Sequence, residues 1–282
     1  MLRKLMKYDL RAILRYWWII ALSSVGLSLV GAVALRYLIT TSVSTTPPEG
    51  AAVFFMILAI LGVVSSIMGI SAFIVASEIF VLVRFYKNFY SDEGYLTFTL
   101  PVKRRELLNS KLISALITSL ATLGVIIIDA LIFILICSGT ELIEGEIGQL
   151  FGVVLSGAAE SLGAYLFVYI VEAIAILLFL SVASYLLIFA CISFAATVAK
   201  KHKVLAAIGI YYLFNMALSM VMQLLMIFGM ISIAGIIESL PEQSIPAFIA
   251  LMLLGITLIL AAVATIIYAV EHYLLDKKLN LS

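Results

Sequence analysis

Charged side chains are sparse in this sequence: Asp, Glu, Lys and Arg make up 12% of its 282 residues, whereas 65% are hydrophobic. A mean hydropathy of +1.24 leaves too much apolar surface for one water-soluble core, so the solvent of this chain is a bilayer. Its two cysteines, Cys137 and Cys191, fall in separate apolar runs. They suggest neither a disulfide framework nor a metal site and read as buried thiols acting as small hydrophobes. The two histidines, His202 and His272, stand without an HExxH helix or neighbouring cysteines, and no GxxxxGK[ST] loop occurs. Neither a metal-activated hydrolase nor a Walker-type nucleotide site is written here, and no nucleophile has a base at workable spacing. The chain is expected not to be an enzyme and to carry no cofactor; if ATP drives it, another polypeptide holds the nucleotide. Nucleic acid is not an expected partner. There is no soluble domain, long linker or internal repeat.

What is present is a series of apolar runs punctuated by basic and aromatic residues. Residues 2 to 15 predict an amphipathic helix along the membrane surface. Leu2, Leu5, Met6, Leu10, Ile13 and Leu14 fall on one side, and Lys4, Lys7, Arg11 and Arg15 on the other. Tyr16, Trp17 and Trp18 then mark the interface. Asp9 lies on the apolar side of that wheel, either meeting a basic group of the same chain or standing as a tolerated interfacial charge. Ala32-Val33-Ala34 imitates a cleavage site, but the basic helix and the run of about 20 apolar residues favour a retained first span.

Six spans are expected, at about 17–39, 51–78, 112–137, 163–199, 204–237 and 246–270. Gly62, Ser65, Ser66 and Gly69 are spaced to let another helix approach the second closely. The fourth and fifth stretches exceed about 25 residues and must tilt, kink or project beyond the bilayer. Between the third and fourth, Gly148, Gly152 and Ser156 suggest a short helix at the outer surface. Segment 229–246 mixes Gly, Ser, Glu and Pro with apolar residues, the pattern of a helix that breaks and partly re-enters the outer leaflet. Of the 17 Lys and Arg, all but Arg36 lie in the amino-terminal helix, the 84–111 segment, the turn at 200–203 or the carboxy-terminal tail. That asymmetry predicts a cell-membrane protein with both termini in the cytoplasm.

Three acids fall within the spans. Asp129 and Glu172 both map to the outer halves of consecutive helices, where they either line one polar cavity or pack as locally hydrogen-bonded groups. Glu78 lies nearer the cytoplasmic end, where a bridge to Arg105 or Lys111 is expected.

Segment 84–111, RFYKNFYSDEGYLTFTLPVKRRELLNSK, is the stretch that points to function. Ser91-Asp92-Glu93-Gly94 supplies an N-cap type and acidic first-turn residues, then a helix-weakening glycine, predicting one short helix or a few turns. Tyr95, Leu96, Phe98 and Leu100 follow, too dense an apolar group for so short a loop to bury by itself. They either lie back on the membrane interface or insert into a partner's groove. Pro101 presets the next helix, and Lys103, Arg104 and Arg105 sit at headgroup level.

The run FYSDEGYLTFTLPVKRRELLNSKL resembles the loop between the second and third spans of ABC-2-type transporter permeases, particularly those of Gram-positive anaerobic bacteria. The likeness is close over about 30 residues and otherwise one of layout, though segment 229–246 is shorter than the extracellular helices of the large eukaryotic members. It implies an all-α fold comprising a single transmembrane domain, 1–282, with six transmembrane helices. Residues 1–16, with Lys4, Lys7, Arg11 and Arg15, would be an amphipathic connecting helix. Asp92, Glu93, Gly94, Tyr95, Leu96 and Phe98 would belong to or flank a cytoplasmic coupling helix between spans two and three. Both would touch a separate ATP-binding cassette subunit holding MgATP, and a second permease subunit, identical or a sister, would complete the pathway. The function implied is export of a hydrophobic or amphipathic substrate: peptide, lipid or drug. A proton-coupled secondary transporter using Asp129 and Glu172, or a non-transporting membrane scaffold, are the competing readings.

Overall fold

The computed structural model describes residues 2–42, 50–91, 94, 99, 102–138, 148–149, 152–153, 156–157, 163, 165–199, 202–241 and 244–277. These residues form α1 (Leu2–Ser42), α2 (Gly50–Tyr90), α3 (Arg104–Cys137), α4 (Tyr165–Val198), α5 (Lys203–Ser239) and α6 (Ile245–Lys277). All six are long and apolar enough to cross a membrane, and no strand occurs among the described residues. The fold is that of an all-α, multi-pass membrane protein. Phe54, Phe55, Leu120, Leu135, Phe167 and Leu251 are among many large apolar side chains turned outward, a distribution that only a hydrocarbon solvent tolerates. Serine and threonine hydroxyls along the spans return to their own helices, as Ser77 does to Phe73 O at 2.8 Å and Thr118 to Ser114 O at 2.8 Å. This satisfies them where no water can.

Several boundaries differ from the sequence expectation. Residues 2 to 15 are not a separate surface helix, because α1 passes through Tyr16–Trp18 without a break; its 41 residues reach about 60 Å, twice a hydrocarbon core. The 84–111 segment is shorter as a loop, because α2 continues to Tyr90 and α3 already begins at Arg104. Phe85 and Phe89, read as loop aromatics, are buried in helix, and that burial carries the helix onward. α5 runs through Gly229 and Gly235 to Ser239, so the break expected within 229–246 comes near the far end of that segment. The interruption falls at Pro241, which accepts from Ser244 N at 2.9 Å and Ser244 Oγ at 2.7 Å before Pro246 sits in the first turn of α6, where its missing N–H costs nothing. The described residues of the 148–157 stretch are helical, and Ser156 Oγ donates to Gly152 O at 2.8 Å.

The chain divides into two compact units, Met1–Arg84 with Ile113–Gly157, and Phe85–Leu112 with Ala158–Ser282. In the first, α1 and α2 meet along a seam of small residues. A Cβ on Gly62 would lie 3.0 Å from Ala34 Cβ, one on Gly69 would lie 2.5 Å from Leu27 Cδ1, and one on Gly31 would collide with the Ser66 side chain. The pairs 34/62, 31/66 and 27/69 run in opposite directions, so the helices are antiparallel and their backbones come close wherever a side chain is missing. Ser65, grouped with these residues by spacing, is instead exposed. Trp17, Ala21 and Phe73 form the core beside the seam. Trp17 is therefore not an interfacial marker: it is 3% exposed and its Nε1 donates to Thr122 Oγ1 of α3 at 3.2 Å, the partner that a buried indole needs. Tyr16 and Trp18 do face outward.

In the second unit α4 packs along α6 and, less extensively, α5. Ala183, Leu186 and Ala264 form its core, with Leu112, Val182, Ile267 and Tyr268 against them. Phe85 stacks on Phe189 with ring centroids 3.9 Å apart and planes within 4°. Cys137 and Cys191 are both buried, as the sequence implied.

Candidate functional site

Among the described residues, polar groups of the second unit concentrate where the 91–103 loop leaves α2 and enters α3. Tyr90, the last residue of α2, donates its hydroxyl to Ser193 Oγ of α4 at 2.6 Å. Ser193 Oγ donates in turn to Glu271 Oε1 of α6 at 2.5 Å. Glu271 is fully buried, and its Oε2 has no hydrogen-bond partner among the described residues. Each side chain arrives there through its helix: Phe85 and Phe89 turn the end of α2 inward, while Ser193 and Glu271 lie on the facing sides of α4 and α6. An uninterrupted chain of short hydrogen bonds thus joins the start of the loop to two helices, in surroundings where such bonds strengthen one another.

The other end of the loop is held to α6 as well. Arg104 Nη1 donates to Leu275 O and, at 2.8 Å, to Asp276 O, carbonyls in the last turn of α6, a cation at the negative end of a helix. Its neighbour Arg105 donates through Nε to His272 Nε2 at 3.1 Å, and His272 Nδ1 lies 3.3 Å from Asp276 Oδ2. One turn further along α3, Asn109 Oδ1 accepts from the Tyr268 hydroxyl at 2.8 Å. Beside Tyr90, an open pocket is lined by Tyr86, His202, Lys203 and Ile208. His202 takes a left-handed backbone, φ 59°, immediately before α5.

Within the loop, Gly94 and Thr99 are helical. Gly94 N donates to Ser91 O at 2.8 Å, and a Cβ on Gly94 would lie 2.7 Å from Phe89 O. Glycine is required there because the chain turns back against the end of α2. Asp92, Glu93, Tyr95, Leu96 and Phe98 lie outside the described residues.

The remaining candidates are distributed between the units. In the first, Asp129 is 1% exposed and accepts from Ser24 Oγ at 2.7 Å and from Ser28 Oγ at 2.9 Å. Two hydroxyls of α1 thus take up both carboxylate oxygens, the arrangement of a satisfied packing group. Asp9, 4% exposed as a side chain, bridges to Arg84 Nε at 3.3 Å, the same-chain basic partner. Lys4, Lys7, Arg11 and Arg15 are exposed along α1, and Glu78 is half-buried on α2. In the second unit, Glu172 is 8% exposed, with Oε2 lacking a hydrogen-bond partner among the described residues. The Tyr90–Ser193–Glu271 chain escaped the sequence reading. Glu271 falls just beyond the expected sixth span and reads as part of the charged tail, and nothing in a linear sequence pairs it with a serine 78 residues away.

The class defined by these observations is a multi-pass helical membrane protein in which polar contacts of the second unit gather at the two ends of one inter-helix loop. No protein-family model, curated protein or solved structure matches the chain.

Proposed function

We propose that this chain is the permease subunit of an ATP-driven ABC exporter in the cell membrane, with both termini cytoplasmic and a separate cassette subunit docked on loop 91–103. The observation that carries the reading is the attachment of both ends of that loop: Tyr90 to α4 and α6 through Ser193 and Glu271, and Arg104 and Arg105 to the end of α6. A push on the loop cannot be absorbed locally and passes to two spanning helices, as a coupling element requires. The Asp9–Arg84 bridge supports the same reading, since it fastens the amphipathic start of α1 to α2 six residues before Tyr90. MgATP belongs to the partner subunit, and a second permease copy or sister chain completes the pathway. An apolar, lipid-facing bundle suits an amphipathic or hydrophobic substrate better than a small ion.

The test is co-purification of the cassette ATPase with a Tyr95→Ala/Phe98→Ala variant. Loss of binding or of substrate-linked hydrolysis is the expected result, and unchanged coupling removes the loop from this role. A second reading, proton-coupled transport, draws on the buried Glu172, whose Oε2 has no hydrogen-bond partner among the described residues. It requires transport that collapses with the proton gradient and survives loss of every cassette partner.

A further inference from the structure

The first four turns of α1 carry a second feature, independent of the loop. Arg3, Lys7, Arg11 and Arg15 follow one another at four-residue steps on the exposed side of the helix and form one edge of a shallow, open groove lined by α1 alone. They recur about every 6 Å along the axis. None has an ion-pair partner among the described residues. The only acid of α1, Asp9, is turned to the opposite, buried side and is engaged by Arg84. The groove is therefore uniformly cationic. Its floor is apolar: Leu10 and Leu14 are half-buried along it, and Trp18 closes it at the end that leads into the span. Beyond Trp18 the same helix exposes Ile19 and Leu22, 66% and 67% accessible, to hydrocarbon.

An occupant must match cations along one length and a greasy, membrane-continuous surface along the next. A soluble acidic protein satisfies the first requirement and not the second. We infer that this groove is a binding site for an anionic phospholipid, its phosphate and headgroup among Lys7, Arg11 and Arg15, and its acyl chain running past Leu14 and Trp18.

Because each cation near an anionic surface is worth about fivefold in binding, loss of two lowers affinity by about 25-fold. The chain has two tryptophans, of which Trp17 is buried and Trp18 is 58% exposed in the groove, so Trp18 is a built-in reporter. The full chain is reconstituted in vesicles in which either phosphatidylglycerol or phosphatidylcholine is brominated near the headgroup end of its acyl chains, and a Trp18→Phe variant supplies the background.

Binding of the brominated phosphatidylglycerol, read from quenching, is expected to exceed that of the phosphatidylcholine about 25-fold. The preference should fall to near parity in Arg11→Gln/Arg15→Gln and persist in Arg11→Lys/Arg15→Lys, which keeps the charge. Equal quenching in the unaltered chain overturns the inference. So does a preference that survives the glutamine exchange, and most pointedly one that survives while a cytoplasmic subunit ceases to co-purify, which assigns the cations to a protein contact.

Discussion

Replacing Ser193 with alanine tests the hydrogen-bond chain at its centre. The serine is 1% exposed; its Oγ accepts from Tyr90 at 2.6 Å and donates to Glu271 at 2.5 Å. Alanine fits the space without strain but leaves a buried carboxyl and a half-buried phenol without their partner. The Tyr90 hydroxyl loses its acceptor, and Glu271, whose Oε2 is already without a hydrogen-bond partner among the described residues, loses its donor at Oε1. An orphaned buried polar group costs about 1–3 kcal/mol; Glu271 bears that cost and the half-buried Tyr90 hydroxyl adds a smaller one, for a total of about 2–4 kcal/mol. Interhelical hydrogen bonds in membrane proteins average only about 0.6 kcal/mol, which moves the expectation to the lower end, about 2 kcal/mol, with a floor near about 1 kcal/mol. Tyr90→Phe alone should cost about 1 kcal/mol. The double variant Tyr90→Phe/Ser193→Ala should be less destabilised than the sum of the singles by about 1 kcal/mol, because the phenylalanine leaves no hydroxyl to orphan. The assay is equilibrium unfolding in mixed micelles, read as a double-mutant cycle. A Ser193→Ala cost below about 0.5 kcal/mol, or a cycle additive within about 0.3 kcal/mol, would refute the argument that these three side chains act as one unit.

Further substitutions examine other contacts. Gly31→Ala should destabilise by about 1–3 kcal/mol, since its methyl group would collide with Ser66. Gly124→Ala, with nothing within 4 Å of the new carbon, should be neutral or stabilise by about 0.5–1 kcal/mol; thermal denaturation in detergent separates the two, and equal effects would dissolve the close seam of α1 and α2. Asp129→Asn keeps one carbonyl acceptor for Ser24 or Ser28, so stability should fall by about 1 kcal/mol with transport intact. Abolished transport by a folded variant would instead favour the proton-relay reading.

The local content of the sequence determined the solvent, the fold class and the number of spans. Runs as apolar as those of α2 and α4 can satisfy their backbones in a bilayer only as helices, and that inference needs no tertiary information. The wheel of residues 2 to 15 likewise announced a basic side and placed Asp9 on the other. Spacing could also nominate Gly62, Ser66 and Gly69 for a close helix approach.

Tertiary structure decided which of several equivalent side chains found a partner. Trp17 and Trp18 are identical neighbours in the sequence, yet one turns inward to Thr122 and the other stays exposed. The direction is set by the rotation of about 100° between successive helical residues and by where α3 lies. Arg36, the exception to the charge asymmetry, donates to Ile136 O at 2.8 Å near the end of α3, a local capping task that charge counting cannot see. Arg84 gains Asp9 across 75 positions, and Ser193 gains Glu271 across 78. Hydropathy and periodicity are properties of one helix at a time. A hydrogen bond between helices depends on rotation and register about two axes, and those are fixed only when the helices pack.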